Sequence, residues 1–559
     1  MFSGRKVARL PTTPTTTVRW VRSTPVNPQV AAAQYAVRGK LLDRAMEIER
    51  ELKDPVLRRR WPFDEVVRCN VGNPQALGQQ PPRFSRQVLS LLMNPELEEV
   101  ASFSEEAKGR ARLYRDAMVG GLGAYSDSKG LDIVRREVAT FIEARDGYPC
   151  DPEDVHLSDG ASAAVMRTLK LLLTPQEDAL LVPYPQYPLY TALVTLCDGT
   201  AAPYYPDERE EWSITERSLE EAFERAIQKE KNNGTTPRAL VCINPGNPTG
   251  ASLRRESLET VVDFCRRKKI ALLADEVYQE NVYAGPPFIS LRKVVRDLRA
   301  DDVPLFSFHS ISKGFTGECG LRGGYVELTN VDDDAKRNLT KLASISLCSN
   351  VPGQVAVGLM VHPPQSPAEA AYYRAEKKDI LDGLKRRSEL MADALDRLPG
   401  ISCPRAHGAL YVFPSIALPP RALAAANKRG LAPDAFYSVR LLEATGLLTV
   451  PGAGFGQKNG TFHFRTSFLP PEKQISKVLD RLEAFHRAFL DDFNEPRVED
   501  HDDDDRKNTT KDDPLFLAPG TPATKLLLTQ RPQAKLLKPQ PQAKLLKQGK
   551  KPNAARAAV

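Results

Sequence analysis

The sequence has 559 residues, of which 41% are hydrophobic and 27% are charged, and its formal net charge is +7. This length is too great for one small domain and suits two domains that share a large core. No apolar run approaches the ~18 residues of a membrane-spanning helix, so we expect a globular protein without a membrane span.

The basic character of the chain lies at its two ends. Residues 1–40 contain seven Lys or Arg residues, residues 520–559 contain nine, and neither segment contains Asp or Glu. The intervening residues 41–519 therefore carry a net charge of −9. Because an acidic body repels a phosphate backbone, we expect no nucleic-acid partner.

The cysteines and histidines indicate neither disulfides nor a metal. The eight Cys residues are scattered without a CxxC pair, which predicts free thiols in a reducing compartment. No His/Cys cluster has the spacing of metal ligands, so we expect no metal site.

Both ends are predicted to lie outside the folded body. Residues 1–40 are rich in Arg, Thr and Ser, which is typical of a mitochondrial transit peptide. A disordered leader without a targeting function is the alternative, because the prolines at 11, 14 and 25 weaken the usual amphipathic helix. After a charge run, the tail repeats PQAKLLK at positions 532 and 541. This composition predicts disorder over residues 497–559, with an amphipathic patch for a membrane or partner as the alternative.

Between the ends, short apolar runs alternate with helical segments, which predicts an α/β fold with a mainly parallel sheet. We expect an N-terminal arm and part of a small domain over 41–110. A large domain that contains this sheet is expected over 111–385, and a C-terminal small domain over 386–496.

The segment SDGASAAVMRTLKLLL, residues 158–173, reads as a helix that opens on small side chains. Ala161 and Ser162 leave the first free backbone N–H groups accessible, and these donors and the helix dipole favour an anion. An ordinary Ser or Asp cap is the alternative interpretation. Ser310 and Arg322 could supply a hydroxyl and a guanidinium to the same anion, which predicts a phosphate.

Four apolar runs are each followed by unusual polar sequences. The runs ALLV (179–182), ALVCI (239–243), IALLA (270–274) and LFSFH (305–309) lead to PYPQYPLY, NPGNPTG, DEVYQENVY and SISK. In open parallel sheets, ligands bind outside the carboxyl ends of the strands. The four endings therefore predict one shared pocket.

The residues at these strand ends match the groups of pyridoxal 5′-phosphate. Asp275 follows an apolar run, so its buried carboxylate needs a partner, which a protonated ring nitrogen supplies. Tyr278 and Asn247 could bond a ring hydroxyl, and Tyr187 offers a face to a flat ring, with Tyr184 and Tyr190 as competitors. Lys313 would then form the Schiff base with the aldehyde.

The motifs NPGNPTG, LLADEVYQENVY and SFHSISKGFTGECGLRGGY resemble those of the fold-type-I aminotransferases, and specifically the alanine aminotransferases of eukaryotes. VGNPQALGQQP (71–81), AYSDSKG (124–130) and FHFRTSFLPP (462–471) resemble the same family. The resemblance covers about residues 40–495. It implies a large domain with a mainly parallel sheet flanked by helices, and a smaller α+β domain built from the N- and C-terminal segments.

The resemblance also implies roles for individual residues. Lys313 is expected to carry the cofactor and shuttle the proton, with Asp275 on the ring nitrogen. Arg465 is expected to bind the substrate α-carboxylate, and Gly72 to close over the substrate. The residues expected at the cofactor phosphate are Ala161, Ser162, Ser310, Ser312, Arg322 and, from the partner subunit of a homodimer, Tyr125.

The implied reaction moves the amino group of L-alanine to 2-oxoglutarate, giving pyruvate and L-glutamate, in the mitochondrion, the cytoplasm or both. A glutamate:glyoxylate aminotransferase of the same subfamily is the first alternative. A cofactor-dependent lyase and a non-catalytic cofactor-binding regulator are the others.

Overall fold

A computed structural model of the protein describes residues 27–33, 40–100, 102–228 and 235–494. Its strands are β1 Val67–Arg68, β2 Val155–Ser158, β3 Asp178–Pro183, β4 Thr200–Tyr204, β5 Thr236–Ile243, β6 Ala271–Asp275, β7 Leu305–Ser310, β8 Gly324–Thr329, β9 Ile401–Ser402, β10 Tyr411–Val412, β11 Ser415–Ile416, β12 Leu447–Leu448, β13 Val450–Pro451 and β14 Phe464–Ser467.

The helices in the same ranges are α1 Pro28–Ala32, α2 Lys40–Glu51, α3 Arg83–Met93, α4 Leu97–Val100, α5 Glu105–Ala117, α6 Asp132–Asp146, α7 Ala161–Leu172, α8 Leu189–Leu196, α9 Glu216–Gln228, α10 Arg255–Lys268, α11 Leu291–Asp297, α12 Asp333–Ser344, α13 Val351–Val361, α14 Pro367–Asp396, α15 Pro420–Lys428, α16 Pro433–Thr445 and α17 Glu472–Asn494. None of these helices is long and apolar enough to cross a membrane.

A seven-stranded sheet in the order β2-β8-β7-β6-β5-β3-β4 organises the molecule. Strand β8 is antiparallel to its neighbours β2 and β7, and the other pairings are parallel. The four apolar runs singled out in the sequence are the adjacent strands β3, β5, β6 and β7. The predicted α/β fold with a mainly parallel sheet is therefore confirmed.

Helices cover both faces of this sheet, which explains why its strands are apolar at successive positions. On β5, Leu240 and Cys242 pack with α9, α10 and α11, whereas Val241 and Ile243 pack with α7, α8 and α12. Each helix presents one apolar stripe to the sheet. In α10 the spacing of three and four between buried residues is that of an amphipathic helix: Leu258, Val261, Val262 and Cys265.

A separate core lies in the C-terminal part of the chain. Helices α14, α16 and α17 pack there around β10, β12 and β14. The N-terminal segment joins this part, because β1 pairs in parallel with β12 and α2 packs against α16. Helices α3 and α5 pack instead with α6 and α13 beside the large sheet.

The structure bears on the expected domain limits in two places. The expected boundary between residues 385 and 386 falls inside α14, which is one helix of 30 residues. The predicted tail over 497–559 and most of the predicted leader over 1–40 lie outside the described residues.

A buried ion network beside the large sheet leads us to predict a large loss of stability when its arginine is replaced. Arg292 is 1% exposed, and its guanidinium donates to Glu327 Oε1 at 3.1 Å and to the Pro149 carbonyl at 2.6 Å, with Asp146 Oδ2 at 3.5 Å. Replacing Arg292 with alanine leaves two buried carboxylates without this partner. We expect the free energy of unfolding in urea to fall by about 3–5 kcal/mol.

The matched control for that measurement is Arg296→Ala, on the same helix. Its side chain is 31% exposed and pairs with the exposed Asp301 at 3.4 Å. Such a surface pair is worth only about 0–1 kcal/mol. Equal losses in the two variants would contradict the importance of the buried network.

Candidate functional site

A cavity of about 460 Å³ lies where β3, β5, β6 and β7 end. Because these strands are parallel neighbours, the residues that follow them meet at one edge of the sheet. Strands β10 and β14 of the C-terminal part close the cavity from the other side. Every sequence-predicted site residue except Tyr125 lines it: Gly72, Ala161, Ser162, Tyr187, Asn247, Asp275, Tyr278, Ser310, Ser312, Lys313, Arg322 and Arg465.

Asp275 ends β6 with its carboxylate buried at the floor of the cavity. The side chain of Asp275 is among the buried polar groups, and its Oδ2 accepts a hydrogen bond of 2.8 Å from the Tyr190 hydroxyl. Its Oδ1 is buried without a hydrogen-bond partner. Burial raises the pKa of Asp275, and the Tyr190 bond, the Val277 backbone N–H and the Lys313 charge oppose that rise. The vacant acceptor position fits a protonated nitrogen on a ligand ring.

Lys313 follows β7 and projects its amine into the cavity. The Nζ donates to the carbonyl oxygen of Gly72 at 3.0 Å and lies 5.7 Å from the centroid of the Tyr278 ring. A Cβ on Gly72 would lie 2.0 Å from the Tyr411 hydroxyl oxygen and 3.2 Å from Lys313 Nζ. Glycine at position 72 therefore lets the backbone approach the lysine closely.

The N-terminus of α7 and Arg322 form one end of the cavity. Gly160 precedes the helix with a φ of +75°, and a Cβ there would lie 2.5 Å from Arg322 Nη2. The Arg322 guanidinium donates to the carbonyls of Asp159 at 3.0 Å and Cys319 at 2.9 Å. Free helix N–H groups beside a guanidinium make a site for a phosphate.

Arg465 is the second guanidinium that is fixed in the cavity. It is 2% exposed, and its Nη1 donates to Asn247 Oδ1 at 2.9 Å while its Nη2 donates to the Asn70 carbonyl. The guanidinium lies 4.0 Å from the centroid of the Tyr411 ring, and its Nε is buried without a partner. A planar guanidinium that is held in this way is suited to a carboxylate ligand.

Tyr278 and Tyr411 form a hydrogen-bonded pair of phenols. The Tyr278 hydroxyl donates to the Tyr411 oxygen at 3.5 Å, and both rings are buried. Burial by itself raises a phenol's pKa, but the charges of Lys313 and Arg465 outweigh it at Tyr411 and hold its pKa below the ordinary value. Burial raises the pKa of Tyr278 well above the ordinary value.

Two tyrosine assignments from the sequence can be placed. Tyr187 lines the cavity, whereas its competitor Tyr190 is buried behind it on Asp275 and Tyr184 lines a different cavity. Tyr125 is 76% exposed and does not line the cavity of its own chain. Its expected role in a partner subunit remains a prediction.

Sequence reasoning missed Tyr411 and Cys319, which also line the cavity. Tyr411 stands in the run GALYVF, where it resembles a core residue. Cys319 Sγ lies 3.1 Å from the Ser312 carbonyl oxygen, inside the motif that carries Lys313. Among the described residues, no group of three or more His, Cys, Asp or Glu side chains could hold a metal ion.

Comparison with known proteins gives concordant results. The family described as "Aminotransferase class I and II" matches residues 101–482. A protein of Dictyostelium discoideum described as "Probable alanine aminotransferase, mitochondrial" is 47% identical over 477 residues, which is 83% of this chain and 88% of that protein. The Arabidopsis thaliana "Glutamate--glyoxylate aminotransferase 2" is 45% identical over 478 residues, which is 84% of this chain and 96% of that protein.

Solved structures show the same fold. The alanine aminotransferase of Pyrococcus furiosus superimposes with a TM-score of 0.66 at 25% sequence identity. The match covers 83% of this chain and 100% of the archaeal chain. It therefore includes the large sheet and the C-terminal part together.

The charges around Tyr411 lead us to predict that its pKa changes when one of them is removed. Replacing Lys313 with methionine removes a cation that favours the Tyr411 phenolate, so the pKa of Tyr411 should rise. The measurement is the phenolate absorbance of cofactor-free protein during an alkaline titration. Tyr411→Phe identifies the contribution of Tyr411 to the curve, and identical curves for Lys313→Met and the parent protein would refute the assignment.

Proposed function

We propose that this chain, which belongs to the class I and II aminotransferase family, catalyses the reversible transfer of an amino group from L-alanine to 2-oxoglutarate. The products are pyruvate and L-glutamate. The observation that carries the proposal is one cavity that holds three groups. They are Lys313, the Asp275 carboxylate with only one of its oxygens hydrogen-bonded, and the fixed guanidinium of Arg465. The choice of alanine is supported by the name of the Dictyostelium relative.

The residues of the cavity fit pyridoxal 5′-phosphate, which members of this family use. Asp275 Oδ1 would accept from the ring nitrogen, since it has no other partner. Asn247 and Tyr278 would hold the ring hydroxyl, and Tyr187 would lie against the ring. The phosphate would be bound by Ala161, Ser162, Ser310, Ser312 and Arg322, with the glycine at position 160 leaving space beside the guanidinium.

When bound, the cofactor supplies an aldehyde that exchanges amino groups and a pyridinium ring that withdraws electrons from the substrate α-carbon. Lys313 would hold the cofactor covalently and, as a free amine, would move the proton of the substrate α-carbon. Asp275, with its buried carboxylate, would keep the ring nitrogen protonated. Tyr278 lies beside Lys313, and Tyr411 contacts both Tyr278 and Arg465.

Arg465 positions the substrate through its carboxylate. Asn247, Asn70 and the Tyr411 ring already fix the guanidinium, so little freedom is lost when a substrate binds. The carbonyl of Gly72 lies opposite, against Lys313, which places the segment that begins at residue 71 over the reacting atoms.

We further propose that two copies form a homodimer in which Tyr125 reaches the phosphate site of the partner subunit. The loop that carries Tyr125 is unusually apolar for an exposed segment, with Val119 95% and Tyr125 76% exposed. Ile345 and Leu347 are also exposed, and Ser128 bonds the Leu347 carbonyl at 2.8 Å, so the two loops are adjacent. An exposed apolar patch of this kind suits an interface between subunits.

The compartment is proposed as mitochondrial, cytoplasmic or both. The support is the basic, acid-free leader in the sequence and the word "mitochondrial" in the name of the Dictyostelium relative. The Arabidopsis relative at 45% identity carries no such word in its name. Its name does support a second candidate activity, glutamate:glyoxylate transamination.

The principal test replaces Lys313 with alanine. Removing the group that moves the α-proton should lower the turnover of L-alanine with 2-oxoglutarate by at least about 10³-fold. The cofactor should still bind through the phosphate site, and this is measured by its absorbance after gel filtration. Lys378→Ala is the control, because that side chain lies on α14, is 75% exposed and does not line the cavity.

The two candidate activities are separated by their acceptors. With L-glutamate as the donor, we expect kcat/KM for pyruvate to exceed that for glyoxylate. The margin should be only about 10–200-fold, since one methyl group is worth ~1–3 kcal/mol in a pocket. The reverse order would favour the glyoxylate enzyme, and full activity in Lys313→Ala would refute both.

A further inference from the structure

Arg465 in β14 and His463 just before it each pack against an aromatic ring, Tyr411 or Phe413. Strands β10 and β14 are antiparallel, with Tyr411 opposite Ser467 and Val412 opposite Thr466. Arg465 and His463 therefore share a face with Tyr411 and Phe413. The Arg465 guanidinium lies 4.0 Å from the Tyr411 ring centroid, and the His463 ring stacks on Phe413 at 4.7 Å with an interplanar angle of 3°.

Each of these two side chains also bonds a residue that follows a strand of the large sheet. Arg465 donates to Asn247, which follows β5. His463 Nε2 lies 3.2 and 3.3 Å from the carboxylate oxygens of Glu208, which follows β4. The pair β10 and β14, together with Phe413 and His463, thus attaches to the large sheet at two points.

Hydrogen bonds fix the orientation of the His463 ring. Its Nδ1 lies 2.9 Å from Gln457 Oε1, and the amide nitrogen of Gln457 donates to Asp434 Oδ2 at 2.8 Å. Asp434 is fully buried and accepts from the Ala453 backbone N–H at 2.7 Å. The Gln457 oxygen is thus directed at Nδ1, and Nε2 faces the Glu208 carboxylate, so both ring nitrogens have a hydrogen-bond partner.

The contact between His463 and Glu208 lies in partly buried surroundings. His463 is 2% exposed, and the side chain of Glu208 is 31% exposed. Trp212 flanks the ring at 6.1 Å and Phe413 covers one of its faces, while His463 and Glu208 both line a cavity of about 540 Å³. A charge-assisted bond in such partly buried surroundings is stronger than one between neutral groups.

We propose that His463 and Glu208 are positioning residues for Arg465. The inference rests on the proposed function, in which Arg465 binds the substrate carboxylate. Only Phe464, the first residue of β14, separates His463 from Arg465. Holding the His463 ring at Glu208 therefore also holds the Arg465 guanidinium in its position at Asn247. Loss of the pair lets the strand shift and weakens carboxylate binding equally in the ground state and the transition state.

The test uses the cofactor-loaded enzyme with Glu208→Gln, which removes the charge and keeps the shape. We expect KM for both L-alanine and L-glutamate to rise about tenfold, with kcat within twofold, because a small misplacement of a positioning group costs this much. Glu208→Asp, which keeps the carboxylate but moves it away from His463 by one methylene, should give an intermediate KM. Glu210→Gln, at an exposed position of the same turn, is the control and should leave KM unchanged.

A binding measurement separates this inference from the proposed reaction. The probe is propionate, a monocarboxylate without an amino group, and its dissociation constant is followed by protein fluorescence. A tenfold weaker propionate affinity in Glu208→Gln supports the inference even if the parent enzyme does not transaminate alanine. An unchanged KM and propionate affinity would overturn it, as would equal changes in Glu210→Gln or a loss of kcat alone.

Discussion

The cavity depends on four neighbouring strands that run in the same direction. Because β3, β5, β6 and β7 are parallel, the segments that leave them start at one edge of the sheet, and each contributes a polar group there. A single reversed strand among these four would send its group to the opposite edge. The reversed strand of this sheet, β8, lies outside the set. Buried apolar contacts on both faces hold the strands in this order.

The charged side chains of the cavity are arranged in a way that fits the proposed ligands. Lys313, Arg322 and Arg465 line the cavity together with the Asp275 carboxylate. In the proposed function the two arginines would bind anionic groups and Lys313 would bind the aldehyde of the cofactor. The low pKa of Tyr411 is a by-product of this spacing, since the phenol lies between Lys313 and Arg465.

The sequence was informative where short-range pattern decides structure. Apolar runs followed by NPGNPTG or DEVY locate strand ends, and parallel pairing then brings Asn247 and Asp275 together. It was less informative where contacts join distant segments. Tyr411 belongs to a strand of two residues inside an apolar run, and only its pairing with β14 reveals that its hydroxyl meets Gly72. His463 and Glu208 are 255 residues apart, so no local pattern joins them. The uninterrupted α14 likewise hides the limit between the two expected domains.

Helix α14 has a mechanical consequence for the molecule. Its 30 residues span about 45 Å at ~1.5 Å per residue, and Pro367 stands in its first turn, where proline does not bend a helix. The helix thus forms a rigid connection from the layer beside the large sheet into the C-terminal core. If that core rotates relative to the large sheet, the backbone must bend at the ends of α14 or at Gly383, the one glycine in the helix.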